Sequence, residues 1–216
     1  MPPFDTYALV APAIAFVASY LVGALPVAWL LARRERGIDL RRVGTGGTGA
    51  LDALLSAGIR TAVLAVIVEV IKGGFVGVAA HLYNPSGWFV AVAIAGCVVG
   101  DAFPVGFRRG GRGLVPLLSG LVTTLPEAAL ICAVVALPVS LATRMHGRVY
   151  DVTVAVAVPA GLFLDTRDGR SLIAAGIIVL ALVVRAQQRR VQQERTGIGN
   201  RQHPLVIEQP ARPESR

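Results

Sequence analysis

Thr61-Ala62-Val63-Leu64-Ala65-Val66-Ile67-Val68-Glu69-Val70-Ile71-Lys72-Gly73-Gly74-Phe75-Val76-Gly77-Val78-Ala79-Ala80 is an apolar run of membrane-crossing length, and its only charged residues are Glu69 and Lys72. About 20 such residues cross a bilayer as a helix. Ionisable side chains inside a span are costly, face a protein interior or a wet cavity, and point to function. Glu69 and Lys72 stand three apart, so they share a helix face and can pair with each other. Lys72 is the only lysine in a chain with twenty arginines. The competing reading is a structural ion pair that locks two helices.

Working outward, the same apolar character recurs along all 216 residues, which are 54% hydrophobic with a mean hydropathy of +0.64. Periodicity and breakers divide the chain into seven segments: about 7–32, 57–80, 88–106, 114–123, 125–142, 149–164 and 171–186. The fold class is therefore an all-α integral membrane protein of about seven spanning or partly spanning helices. The fourth segment is too short to cross unaided and reads as a half-span or re-entrant helix, tolerated only against protein or a polar cavity. Thr124 and Glu127 match a capping box for the fifth segment, and Pro126 suits its first turn. Residues 1–187 form one helical membrane domain. Residues 188–216 are a basic tail, disordered beyond its first turns.

Arginines decide the orientation. Arg33 to Arg42, Arg108 to Arg112, Arg144 with Arg148, and the tail belong to the cytoplasmic side. The connections 81–87 and 165–170 carry little net charge and suit the outside. The N-terminus then lies outside and the C-terminus in the cytoplasm. The net charge of +8 sits in these loops and the tail, so it does not suggest nucleic acid. Cys97 and Cys132 both lie in apolar runs, where a buried, inert role is expected. His81, His146 and His203 have no second ligand spaced to them, and no metal site is expected.

Three segments with chemistry in them converge on the cytoplasmic side under this topology. Gly37-Ile38-Asp39-Leu40-Arg41-Arg42-Val43-Gly44-Thr45-Gly46-Gly47-Thr48-Gly49-Ala50-Leu51-Asp52 holds four glycines in six residues. Such a stretch can form a backbone nest for phosphate, with hydroxyl donors from Thr45 and Thr48 and counter-charge from Arg41. Glu69-Val70-Ile71-Lys72-Gly73 is the second. The third is Gly100-Asp101-Ala102-Phe103-Pro104, followed by Arg109-Gly110-Gly111-Arg112-Gly113, where guanidiniums flank a glycine pair able to wrap an anion. The bland alternative is that both glycine segments are flexible basic loops.

In these three segments the chain resembles the bacterial acyl-phosphate:glycerol-3-phosphate acyltransferases, the PlsY family. That family reads Gly-Ile-Asp-Ile-Arg, then Gly-Ser-Gly-Asn-x-Gly-Ala-Thr-Asn, then Asp-x-x-Lys-Gly, then Gly-His-x-Phe-Pro and Lys-Gly-Gly-Lys-Gly. The order and spacing agree over most of residues 10–190. The resemblance implies a seven-helix enzyme of the bacterial inner membrane, with its site on the cytoplasmic side. Such an enzyme moves a fatty acyl group from acyl phosphate to glycerol 3-phosphate and forms lysophosphatidic acid without a metal or organic cofactor. It implies catalytic positions at Thr45, Lys72, Asp101 and Arg112. Substrate positions fall at Arg41, Gly44, Gly46, Gly47, Gly49, Asp52, Glu69, Gly73, Arg109, Gly110, Gly111 and Gly113.

Several family residues are replaced. The motif serine is Thr45 and the first asparagine is Gly47. Thr-Asn has become Leu51-Asp52, and the arginine expected next falls on Leu55. The histidine is Asp101, both lysines of the last motif are arginines, and the C-terminal basic-His-x-x-Asn pattern reads Arg185-Ala186-Gln187-Gln188. Charge at the phosphate positions survives, while much of the fine polar positioning does not. A second reading is therefore a non-catalytic membrane paralogue that binds a phosphate-bearing lipid headgroup or partner. A transporter is the weakest reading, because no inverted repeat is visible.

Overall fold

The computed structural model describes residues 6–43, 47–106, 110–142 and 148–196. Among them nine helices follow in order: α1 (Thr6–Gly23), α2 (Val27–Arg36), α3 (Ala50–Ala57), α4 (Ile59–Tyr83), α5 (Gly87–Ala102), α6 (Leu114–Thr124), α7 (Pro126–Ala142), α8 (Arg148–Thr166) and α9 (Ser171–Thr196). Each of the seven expected segments is helical. The first, however, is two helices rather than one, because Pro26 lacks a donor and α1 stops at Gly23. α3 was not foreseen: its eight residues are too few to carry a legible period. α5 ends at Ala102, four residues short of the expected boundary. α9 carries on through Thr196, so the first nine residues of the expected tail are helical.

α5 is the hub, with α1, α4, α6, α8 and α9 all packed on it. The packing is made by small residues. A side chain at Gly96 would strike Phe16 and Ser19 of α1, and one at Gly100 would strike the Tyr20 carbonyl. This Gly96-x-x-x-Gly100 seam lets two backbones approach where lipid supplies no hydrophobic drive between helices. The pairings put the C-terminal ends of α1, α5 and α9 at the same end of the bundle. Conversely, Leu9, Ile14, Val17, Ile71, Phe75, Leu130 and Ile173 all stand outward and exposed, as a lipid-facing surface requires.

α6 is 11 residues long, about 16 Å at 1.5 Å per residue, which agrees with a half-span. It is set into α4, with Pro116 and Ser119 against Gly73 and with Gly120 and Thr123 against Gly77. The capping box at Thr124 does not form. That hydroxyl donates to the Gly120 carbonyl at 2.8 Å, and α7 is capped from α8, where Asp165 accepts the Ala128 N–H at 2.9 Å. Pro126 does open α7, as expected of a first-turn proline.

Gly100→Leu is expected to destabilise the bundle by about 1–3 kcal/mol through overpacking, whereas Leu9→Ala on the exposed face is expected to be near neutral. Thermal unfolding in detergent measures both, and equal effects would refute the small-residue seam.

Candidate functional site

The break between α1 and α2 leaves carbonyls at the end of α1 without helical partners, and Lys72 answers them. From α4 its Nζ donates to the Gly23 and Leu25 carbonyls, each at 3.1 Å. A cation at this position also opposes the negative end of the α1 dipole. The same Nζ stands 3.8 Å from Asp101 Oδ1 on α5, and both side chains are buried. The expected Glu69–Lys72 pair is therefore corrected: among the described residues the ion pair of Lys72 is with Asp101. Lys72 extends toward the α1 break, and Glu69 is buried on the same face of α4.

Asp101 also organises the loop that follows it. Its Oδ2 accepts the Gly113 N–H at 2.8 Å. Its backbone oxygen accepts the Gly111 N–H at 2.8 Å, and the Ala102 oxygen accepts that of Gly110 at 3.2 Å. The chain thus folds back tightly over the end of α5. Side chains at Gly110 and Gly111 would collide with the Asp101 carbonyl and carboxylate respectively, and Gly113 has a φ of 72°, a left-handed value that favours glycine. The motif spacing is a steric requirement of this wrap. Tyr20 adds a further tie, donating from α1 to the Phe103 carbonyl at 2.8 Å.

The first glycine segment closes over the third. A side chain at Gly49 would come within 3.0 Å of Gly111 Cα, so the two backbones pass close together. Asp52 reaches back from α3 to the Gly49 N–H at 3.3 Å. Its carboxylate fills the space that any side chain at Gly47 would need, which accounts for glycine where the resembling family has asparagine. Thr48 is buried beside them. Gly73, placed one residue after Lys72, is used for the α4–α6 contact. Gly44, Thr45, Gly46 and Arg109 lie outside the described residues. Lys72, Asp101, Glu69, Asp52, Gly47, Gly49 and Gly110–Gly113 therefore meet in one place.

Arg41 is placed differently. Its Nε and Nη2 donate to the two oxygens of Asp39 at 2.9 and 2.8 Å, and its guanidinium lies 5.1 Å from the Trp29 ring centre. Trp29 itself donates to Asp39 at 2.8 Å. Hydrogen bonds from Arg41 hold the Asp39 carboxyl well below the usual carboxylate range, and the same bonds raise the Arg41 pKa.

One residue of the cluster went unassigned in the sequence. Arg185 of α9 is buried, and its guanidinium donates to the carbonyls of Gly110 and Gly111. It also donates to Gln188 Oε1 at 3.0 Å. The available signal was its match to the basic position of the C-terminal pattern, which assigned it no role beside an arginine-rich tail that the positive-inside rule already explained.

Residues 13–194 match the family described as Glycerol-3-phosphate acyltransferase. A glycerol-3-phosphate acyltransferase of Geotalea daltonii is 28% identical over 189 residues, covering 87% of this chain and 95% of that protein. Glycerol-3-phosphate acyltransferase 5 of Dehalococcoides mccartyi is 34% identical over 148 residues, 68% of this chain. There the chain spans 64% of the relative's length, and for the Halalkalibacterium halodurans enzyme, at 30% identity, it spans 60%. A crystal structure of PlsY, an integral membrane glycerol 3-phosphate acyltransferase, in its glycerol 3-phosphate form shares the fold. The TM-score is 0.69 at 23% identity, covering 86% of this chain and 92% of that one.

Asp101→Ala removes the carboxylate beside Lys72 and the acceptor of Gly113 together. It is expected to cost about 3–5 kcal/mol, the range for breaking a buried pair. Asp101→Asn, which keeps an acceptor for Gly113, should cost less. Thermal unfolding ranks the two, and equal losses would sink the double role of the carboxylate.

Proposed function

The chain belongs to the glycerol-3-phosphate acyltransferase family, and we propose that it transfers a fatty acyl group from acyl phosphate to glycerol 3-phosphate. A hydroxyl of glycerol 3-phosphate attacks the acyl carbonyl, the bond from that carbon to the phosphate oxygen breaks, and inorganic phosphate leaves with the electron pair. The hydroxyl proton passes to the medium or to the departing phosphate. The products are lysophosphatidic acid, the first intermediate of phospholipid synthesis, and phosphate.

The observation that carries this reading is the contact between two glycine loops, Gly49 against Gly111, above the buried Lys72–Asp101 pair. Acyl phosphate is already an activated mixed anhydride. The site therefore mainly has to bring two anions together and stabilise a developing oxyanion. We assign one phosphate to Arg109 and Arg112, carried by the Gly110–Gly113 loop whose glycine N–H groups are held by Asp101 and Ala102, and the other to Gly44–Gly49 with the Thr45 and Thr48 hydroxyls. Lys72 contributes its field from beneath, since its donors point at Gly23, Leu25 and Asp101. Asp101 and Glu69 are positioning residues in this scheme. Asp101 holds the Gly113 N–H, and Glu69 lies buried on the Lys72 face of α4. Arg41 is tied to Asp39 beside Trp29.

The commitment of Lys72 to protein acceptors favours one alternative, a non-catalytic relative that binds a phosphate-bearing lipid. The arginine-rich ends that accompany the cluster support a cytoplasmic site in a bacterial inner membrane, with the N-terminus outside.

Purified protein in lipid, given acyl phosphate and radiolabelled glycerol 3-phosphate, is expected to form lysophosphatidate. Arg112→Ala should lose about 100-fold or more of that rate, as removal of an oxyanion or phosphate donor does. No product from folded wild type, beside an active family enzyme, would leave the binding reading. In intact cells a cysteine placed at Asn84 should react with an impermeant thiol reagent and one placed at Arg42 should not. The reverse pattern would invert the orientation.

A further inference from the structure

Gly110, Gly111 and Gly113 have no side chains to pack, so whatever fixes them must grip the backbone. Asp101 grips the N–H groups, taking that of Gly113 on its carboxylate and that of Gly111 on its carbonyl. The carbonyls are gripped from the far end of the chain. Arg185, 3% exposed, donates through Nη2 to Gly110 O and through Nε to Gly111 O, the latter at 3.4 Å.

We propose that Arg185 is a positioning residue for the reaction: it clamps the two carbonyls so that the peptide planes of the loop, and with them Arg112, are set against the first glycine segment. The inference rests on the reading of Gly110–Gly113 as a phosphate-holding loop. In a planar trans peptide the N–H lies opposite the carbonyl. Fixing Gly111 O therefore fixes the direction of the Arg112 N–H, whose nitrogen lies beside Gly49. The guanidinium is itself held in place. Gln188, one turn further along α9, accepts from Nη1 at 3.0 Å, and the Phe103 ring lies 5.9 Å from Cζ.

Burying a cation at the end of an apolar helix is costly unless its donors are met, and here three of them are met in three directions. A lysine, as a single point of charge, cannot reproduce that fork. Arg185 need not touch a reacting atom to matter, because a displacement of about 1 Å in a preorganised site can cost on the order of 100-fold in rate.

The test uses the full chain in lipid nanodiscs with Arg185→Met, which fills the space without the guanidinium, and Arg185→Lys. Amide hydrogen exchange over residues 110–113 and lysophosphatidate formation are measured on the same samples. Arg185→Met is expected to speed exchange in the loop about 10-fold, by freeing a local opening. Its kcat should fall about 30- to 100-fold, with the exchange of the α5 core unchanged. Arg185→Lys should recover part of both effects. Turnover lost with loop exchange unaltered would overturn the proposal by giving Arg185 a direct role, and turnover retained with a loosened loop would overturn it from the other side. If Arg185→Met does not fold, Gln188→Leu frees the guanidinium and should move both readouts in the same direction by less; no movement would refute the clamp. If the wild type forms no product, the acyltransferase reading fails on its own. Loop exchange with and without inorganic phosphate then still decides the clamp: phosphate protection in wild type that is lost in Arg185→Met supports it, and equal protection overturns it.

Discussion

The ammonium of Lys72 joins parts of the chain that no backbone ladder connects: the broken end of α1, the last turn of α5, and α4 itself. A proline inside an apolar run would ordinarily leave carbonyls stranded in a medium that offers no water. Here the carbonyls become the seat of a buried cation. That cation fixes Asp101, Asp101 fixes the glycine loop, and the loop receives the first glycine segment. The electrostatics and the architecture are therefore one problem, solved around a single nitrogen.

Much of this was legible. Apolar runs separated by arginine clusters report a polytopic helical protein because the bilayer imposes their length. The half-span was visible for the same reason, as 114–123 is too short to cross. The glycine pair was visible because close backbone approach excludes side chains. Partnerships across helices were not. Glu69 and Lys72 share a helix face, yet the partners of Lys72 come from the α1 break and α5, and only tertiary packing selects them. The split at Pro26 was masked by the continuous apolarity around it, and Arg185 by having an adequate explanation already.

The replaced motif residues also fit one another. Asp52 occupies the room left by Gly47 and binds the Gly49 N–H. Asp101 engages both Lys72 and Gly113, while Gln188 orients Arg185. Leu55, where the resembling family has an arginine, points outward and is 66% exposed, so that position has left the cluster. These changes form a repacked polar network around Asp52, Asp101 and Arg185.

The grip of α9 on the glycine loop has a consequence for biogenesis. Helices enter the membrane in chain order and associate afterwards. α1, α4 and α5 can assemble around Lys72 as soon as the third span is inserted. The carbonyls of Gly110 and Gly111, by contrast, must wait for a residue 74 or 75 positions downstream. A nascent or truncated chain lacking its last span would hold the buried cation yet leave the loop ungripped. The fixing of the loop thereby waits for a span made after the helices that hold Lys72.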